Sequence, residues 1–78
     1  MKVRIFVTLK SGVLDPQGKA IHHALDGLGF AGVNDVRAGK LIELELAEEV
    51  TDAAIDEMCR KLLANLVIEN YRLEKAPA

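Results

Sequence analysis

The stretch KVRIFVTLKSGVLDPQGKA, residues 2–20, decides the fold, because within it one periodicity gives way to another. From Lys2 to Lys10, Val3, Ile5, Val7 and Leu9 alternate with Lys2, Arg4, Thr8 and Lys10, the period of a strand with one face buried. Phe6 interrupts the polar side with a large ring that stays wet unless a partner or a neighbouring element covers it. Ser11 to Leu14 form a loop, and Asp15-Pro16 start a helix: the carboxylate can accept a free backbone N–H, and proline is tolerated at the first helical position. That helix runs to about Leu28, with Ala20, Ile21, Ala24, Leu25 and Leu28 on one stripe and Gly29 suited to the left-handed residue that ends it.

Downstream, Gly32 to Ala38 reads as a second strand, Gly39-Lys40 as part of a turn, and Leu41 to Ala47 as a third strand, together a β-hairpin. Thr51 caps a second helix with Asp52 in its favourable first turn, and Ala54, Ile55, Met58, Cys59, Leu62 and Leu63 repeat the stripe of the first. Asn65 suits the helix end, and Leu66 to Glu74 offers a last strand before a Lys75 to Ala78 tail. The order β-α-β-β-α-β predicts one α+β domain over residues 1–78, a two-layer sandwich with a mainly antiparallel sheet and both helices on one face.

A chain of 78 residues buries only about 60% of its unfolded surface, so stability has to be supplemented by disulfides, a metal or association. Cys59 stands alone and no Cys/His spacing suits structural zinc, which leaves association and points to a cytoplasmic protein. No run approaches the roughly 20 apolar residues of a membrane span. Ten Lys and Arg against twelve Asp and Glu give a net charge of −2, and a chain with two Phe, one Tyr and no Trp has little for base stacking, so nucleic acid is not an expected partner.

Residues that could carry chemistry have plainer readings. His22 and His23 point about 100° apart on a helix and cannot readily share a metal, while His22 and Asp26 are spaced as a helix-surface pair. Cys59 lies in an apolar stripe, where a thiol packs as a small hydrophobe. Glu43 and Glu45 alternate with Ile42, Leu44 and Leu46, as on a solvated or interface face. Gly12, Gly18 and Gly39 lack the spacing of a P-loop. Tyr71 and Phe6 are expected to cover exposed sheet at a dimer interface.

Three segments carry a resemblance. Lys10 to Ala20, KSGVLDPQGKA, looks like the G-V-L-D-P-Q-G segment of PurS proteins. Val36 to Lys40, VRAGK, resembles the same family's V-R-x-G-K turn. Leu62 to Tyr71, LLANLVIENY, resembles its L-A-N-P-V-I-E-x-Y segment, with Leu66 where proline is usual. PurS is the small subunit of the three-part phosphoribosylformylglycinamidine synthase, which converts formylglycinamide ribonucleotide to formylglycinamidine ribonucleotide. The resemblance implies a non-catalytic chain, usually a dimer, with tetramers also conceivable, that bridges a glutaminase subunit and a large synthetase subunit. It implies no cofactor in this chain, ATP and Mg being used by the synthetase subunit. Motif position and exposed chemistry nominate Lys10, Gly12, Val13, Leu14, Asp15, Gln17, Arg37 and Lys40 as partner-binding residues.

Two other classes share the element order. An RNA-binding module is suggested by Arg4 to Leu9, but Leu41 to Ala47 has no stacking aromatic. A small-molecule-sensing or acylphosphatase-like domain is the other; an acylphosphatase would place an arginine in the loop after the first strand, and Lys10 to Leu14 holds none.

Overall fold

The computed structural model describes residues 1–76, and positions 77 and 78 of the expected tail lie outside them. Its elements are β1 (Lys2–Leu9), α1 (Pro16–Gly27), β2 (Gly39–Glu45), α2 (Asp52–Met58), one turn of π-helix (Cys59–Leu63) and β3 (Glu69–Ala76). The class is α+β. The sheet is antiparallel throughout with β1 in the centre, paired to β2 on one side and β3 on the other, so the described residues form three strands where four were expected.

The missing strand is Gly32 to Ala38, and the expected hairpin goes with it. Its backbone groups are taken up elsewhere, which is how side chains displace a ladder. The Val33 carbonyl lies 2.7 Å from His22 Nε2, the Val36 N–H donates to the Asp35 carboxylate, and the Ala38 N–H donates to Asp15. Gly32 adds a positive φ of +90°. Gly39-Lys40 is consequently the start of β2 and not a turn: Gly39 pairs with Thr8, and a Cβ there would come within 2.6 Å of the Val7 carbonyl oxygen. Two of the supposed tail residues, Lys75 and Ala76, extend β3 to the far end of β1, where Ala76 pairs with Lys2.

Val3, Ile5 and Val7 turn to one face and form the core with Ile55, Cys59 and Ala64. Thr51 caps α2 by accepting from the Ala54 N–H at 3.1 Å. The π turn, closed by the Ala64 N–H to the Cys59 carbonyl at 2.9 Å, inserts one residue into the helical period. It brings Leu63 and Ala64 inward and leaves Leu62 82% exposed, although an unbroken stripe would have buried Leu62.

The first helix behaves differently. Gly18 is its one buried residue, Ile21 and Leu28 are exposed, and Phe30 just beyond it is 58% exposed. Ile55 and Cys59 enter the core with Val3, Ile5 and Val7, while among the described residues α1 contributes none to it. The radius of gyration is 15.8 Å, against about 11.5 Å for a compact chain of this length, and the molecule measures 49 × 30 × 14 Å. One helix covers the sheet and the other projects from it as an arm.

Candidate partner interface

The root of that arm is built by the two loops that carry the first two motifs. After β1 the Val13 N–H donates to the Lys10 carbonyl at 3.1 Å, closing a four-residue turn whose third position, Gly12, has φ +86° as such turns require. The chain then reaches Asp15, which is only 4% exposed. Its Oδ1 accepts from the Gly18 N–H at 2.9 Å, capping α1, and its Oδ2 accepts from the Ala38 N–H at 2.7 Å, tying the cap to the residue before β2. These hydrogen bonds, Gly18 foremost, together with the nearby Arg37 cation, hold the carboxyl below its usual pKa.

Arg37 completes the clamp from the other loop. Its guanidinium donates to the carbonyls of Val13, Lys10 and Leu9 at 3.3, 3.2 and 3.5 Å, so one side chain fastens the end of β1 to the 35–40 segment. Gly18 is the point of closest approach: a Cβ there would strike the Val36 carbonyl oxygen and lie 2.7 Å from Asp15 Oδ2. His22, one turn further along α1, adds its contact to the Val33 carbonyl and lies 3.9 Å from Asp26.

The structure brings Gly12, Val13, Leu14, Asp15 and Arg37 around one hollow of about 300 Å³, joined by Lys19 and Asp35. Gln17 and Lys40 lie across Asp15 on a second hollow of about 210 Å³, and Lys10 sits at the neck of the turn. Two of the nominated residues therefore act inward: Asp15 and Arg37 position the loops. Of the aliphatic pair, Val13 is half-buried and Leu14 is 65% exposed. A cation early in a helix ordinarily reads as a solvated one, and only the fold sets Lys19 on the same hollow as Arg37.

The other chemistry-bearing residues are occupied structurally. Tyr71 does not share a face with Phe6, since it pairs with Val7 on the core side and its hydroxyl donates to the Asp56 carboxylate. That bond lowers the Asp56 pKa, with help from Arg60, and raises that of Tyr71 against the pull of the same cation. Phe6 is roofed by the Arg72 guanidinium at 4.4 Å, an intramolecular cover where a partner was one expectation. Cys59 is fully buried, and burial pushes its thiol above its usual pKa. Glu43 takes ion pairs from Arg4 and Lys2, and Glu45 from Lys2. Among the described residues no helix is long and apolar enough to cross a membrane.

Comparison with known proteins bears on this arrangement. Residues 2–77 match the family model "PurS: Phosphoribosylformylglycinamidine (FGAM) synthase". The chain is similar to phosphoribosylformylglycinamidine synthase subunit PurS of Bacillus subtilis, 52% identical over 75 residues that cover 94% of this chain and 89% of the relative. It is also similar to the same-named subunit of Methanocaldococcus jannaschii, at 41% identity over 94% of this chain and 92% of the relative. Among solved structures, a B. subtilis PurS crystal form superposes with a TM-score of 0.81 at 52% identity, covering 94% of both chains. A chain of the Thermotoga maritima structure described as PurLQS gives a TM-score of 0.83 at 34% identity, covering 96% of this chain and 95% of that one.

Proposed function

The chain belongs to the PurS family of phosphoribosylformylglycinamidine synthase subunits, and from that premise we propose that it is the small, non-catalytic subunit that bridges glutaminase and synthetase subunits in the cytoplasm. The enzyme converts formylglycinamide ribonucleotide to formylglycinamidine ribonucleotide with the amide nitrogen of glutamine. ATP and Mg²⁺ are assigned to the large synthetase subunit.

The observation that carries a role in assembly is the arm. A helix whose apolar stripe lies bare, on a root fixed by Asp15 and Arg37, is a rigid surface that only another chain can cover. Leaving Ile21 and Leu28 in water forgoes about 1.5–3 kcal/mol of burial for each side chain, a large share for so small a fold. We assign that stripe to a second copy of the chain, giving a dimer or tetramer, and the loop cluster at its root to the larger subunits. Asp15 and Asp56 accept bonds that stabilise their ionised forms, and Cys59 is enclosed, which fits these three to structural roles.

The test is reconstitution from the source organism's synthetase and glutaminase subunits. Glutamine-dependent formation of formylglycinamidine ribonucleotide is expected to require this chain, which alone turns over neither glutamine nor nucleotide. Turnover that is indifferent to its addition, or activity in the chain by itself, overturns the assignment.

A further inference from the structure

Charge is distributed unevenly along the molecule. Of the ten Lys and Arg, six have carboxylate partners within the chain: Lys2, Arg4, Arg60, Lys61, Arg72 and Lys75. The four without one among the described residues are Lys10, Lys19, Arg37 and Lys40, and all four gather at the root of α1, around the two neighbouring hollows and the turn between them. Segments 10–19 and 35–40 set these four cations against Asp15 and Asp35, a surplus of two in a chain whose net charge is −2. The remainder therefore stands at −4. Both carboxylates of the root are already occupied by backbone N–H groups, Asp15 by Gly18 and Ala38 and Asp35 by Val36, so neither is paired with the lysines.

We propose that this cationic root docks an acidic surface of one of the larger subunits, with Lys10, Lys19 and Lys40 making the charged contacts and Leu14 seated as the apolar anchor between them. The proposal rests on the subunit assignment above and deepens it. A protein surface fits better than a small anion for three reasons. The cations are spread over a turn, a helix and a strand end instead of converging on one point, two carboxylates line one of the hollows, and an exposed leucine lines that hollow with Lys19 and Arg37. An apolar centre ringed by charges is the anatomy of a protein interface. Arg37 is the positioning residue: its two terminal nitrogens donate three hydrogen bonds to the loops, which keeps the lysine-bearing segments in place before binding. The inference separates two surfaces, an apolar stripe for self-association and a charged root for a different subunit.

The experiment compares the wild-type chain with the triple variant K10E/K19E/K40E and with a control, E43K/E45K, in titrations against the purified synthetase and glutaminase subunits at low and at physiological salt. Solution mass and circular dichroism establish that each variant keeps its fold and assembly. Wild-type binding to one subunit is expected to weaken with salt, while the triple variant binds at least about tenfold more weakly at low salt and loses most of the salt dependence. The control is expected to bind as wild type. Wild-type affinity in the triple variant, or an equal loss in the control, overturns the docking surface while leaving subunit membership intact. Wild-type chain that binds neither subunit removes the subunit assignment and the docking surface with it. A rise in melting temperature with millimolar inorganic phosphate in the wild type, absent in the triple variant, reassigns the cations to a small anion and likewise overturns the proposal.

Discussion

The two helices start from the same instructions and end in different environments. Each opens with a side-chain cap, Asp15 to the Gly18 N–H and Thr51 to the Ala54 N–H, and each carries apolar residues at helical spacing. On α2 and the π turn that continues it the sheet encloses Ile55 and Cys59 completely, with Tyr71 bonded across to Asp56, although Met58 and Leu62 of the same stripe stay exposed. On α1 it faces outward, and the helix is fixed by its first turns alone. A stripe specifies that a face must be covered; it does not specify by what. The difference lies in the connection: the 32–38 segment gives its backbone groups to the root of α1, the Ala38 N–H donating to Asp15 and the Val33 carbonyl accepting from His22, instead of to the sheet.

Four variants sharpen or break this contrast. Ile55→Ala in α2 removes a fully buried side chain and is expected to cost about 3 kcal/mol, read as a lowered midpoint in urea unfolding at fixed protein concentration. The paired change Ile21→Ser and Leu28→Ser in α1 should leave the circular dichroism of the chain nearly unaltered and weaken self-association at least about tenfold, as sedimentation would reveal. An unfolded double variant, or an unchanged association constant, erases the distinction between the helices.

Asp15→Asn tests the clamp itself. It keeps the shape and removes the charge that accepts two backbone N–H groups, so the melting temperature at neutral pH is expected to fall by about 5 °C. The same carboxyl gives a pH signature. Asp15 and Asp56 titrate below 3.8 when folded, so the unfolded chain takes up their protons first, and the stability they contribute is intact above that value and lost as pH falls through the lower folded values. The acid limb of a thermal-stability profile should be shallower in the Asp15→Asn chain than in wild type.

The smallest effect concerns the departure from the family segment at Leu66. Asn65 begins a turn there: its Oδ1 accepts from the Val67 N–H at 3.0 Å and its carbonyl from the Ile68 and Glu69 N–H groups at 3.1 and 2.7 Å. Leu66 occupies the second turn position, where proline is favoured, and its own N–H has no acceptor among the described residues. Leu66→Pro is therefore expected to stabilise by about 0.4–1 kcal/mol through the unfolded chain, a rise of a few degrees in melting temperature.

Much of this was legible in residues 2–20, where alternation, cap and helical stripe each have a local cause. Cys59 as core and Thr51 as cap were legible for the same reason. Three features were not, because each depends on partners distant in sequence. Gly32 to Ala38 has the composition of a short strand, but its backbone is claimed by Asp15 and His22 from another element. Leu62 fits the α2 stripe until the π turn shifts the period. The role of Lys19 emerges only when the root of α1 sets it beside Arg37. Within the first two motifs, Asp15, Gly18, Arg37 and Gly39 fix how the arm leaves the sheet.

The central claim, that α1 is an arm completed by another copy of the chain, is tested most directly by the solution mass of the isolated protein in sedimentation equilibrium at micromolar concentration. A mass that is a multiple of 8.5 kDa, two or four chains, is the expected result. A folded, monodisperse species of 8.5 kDa, with its apolar helix face open to water, would contradict it.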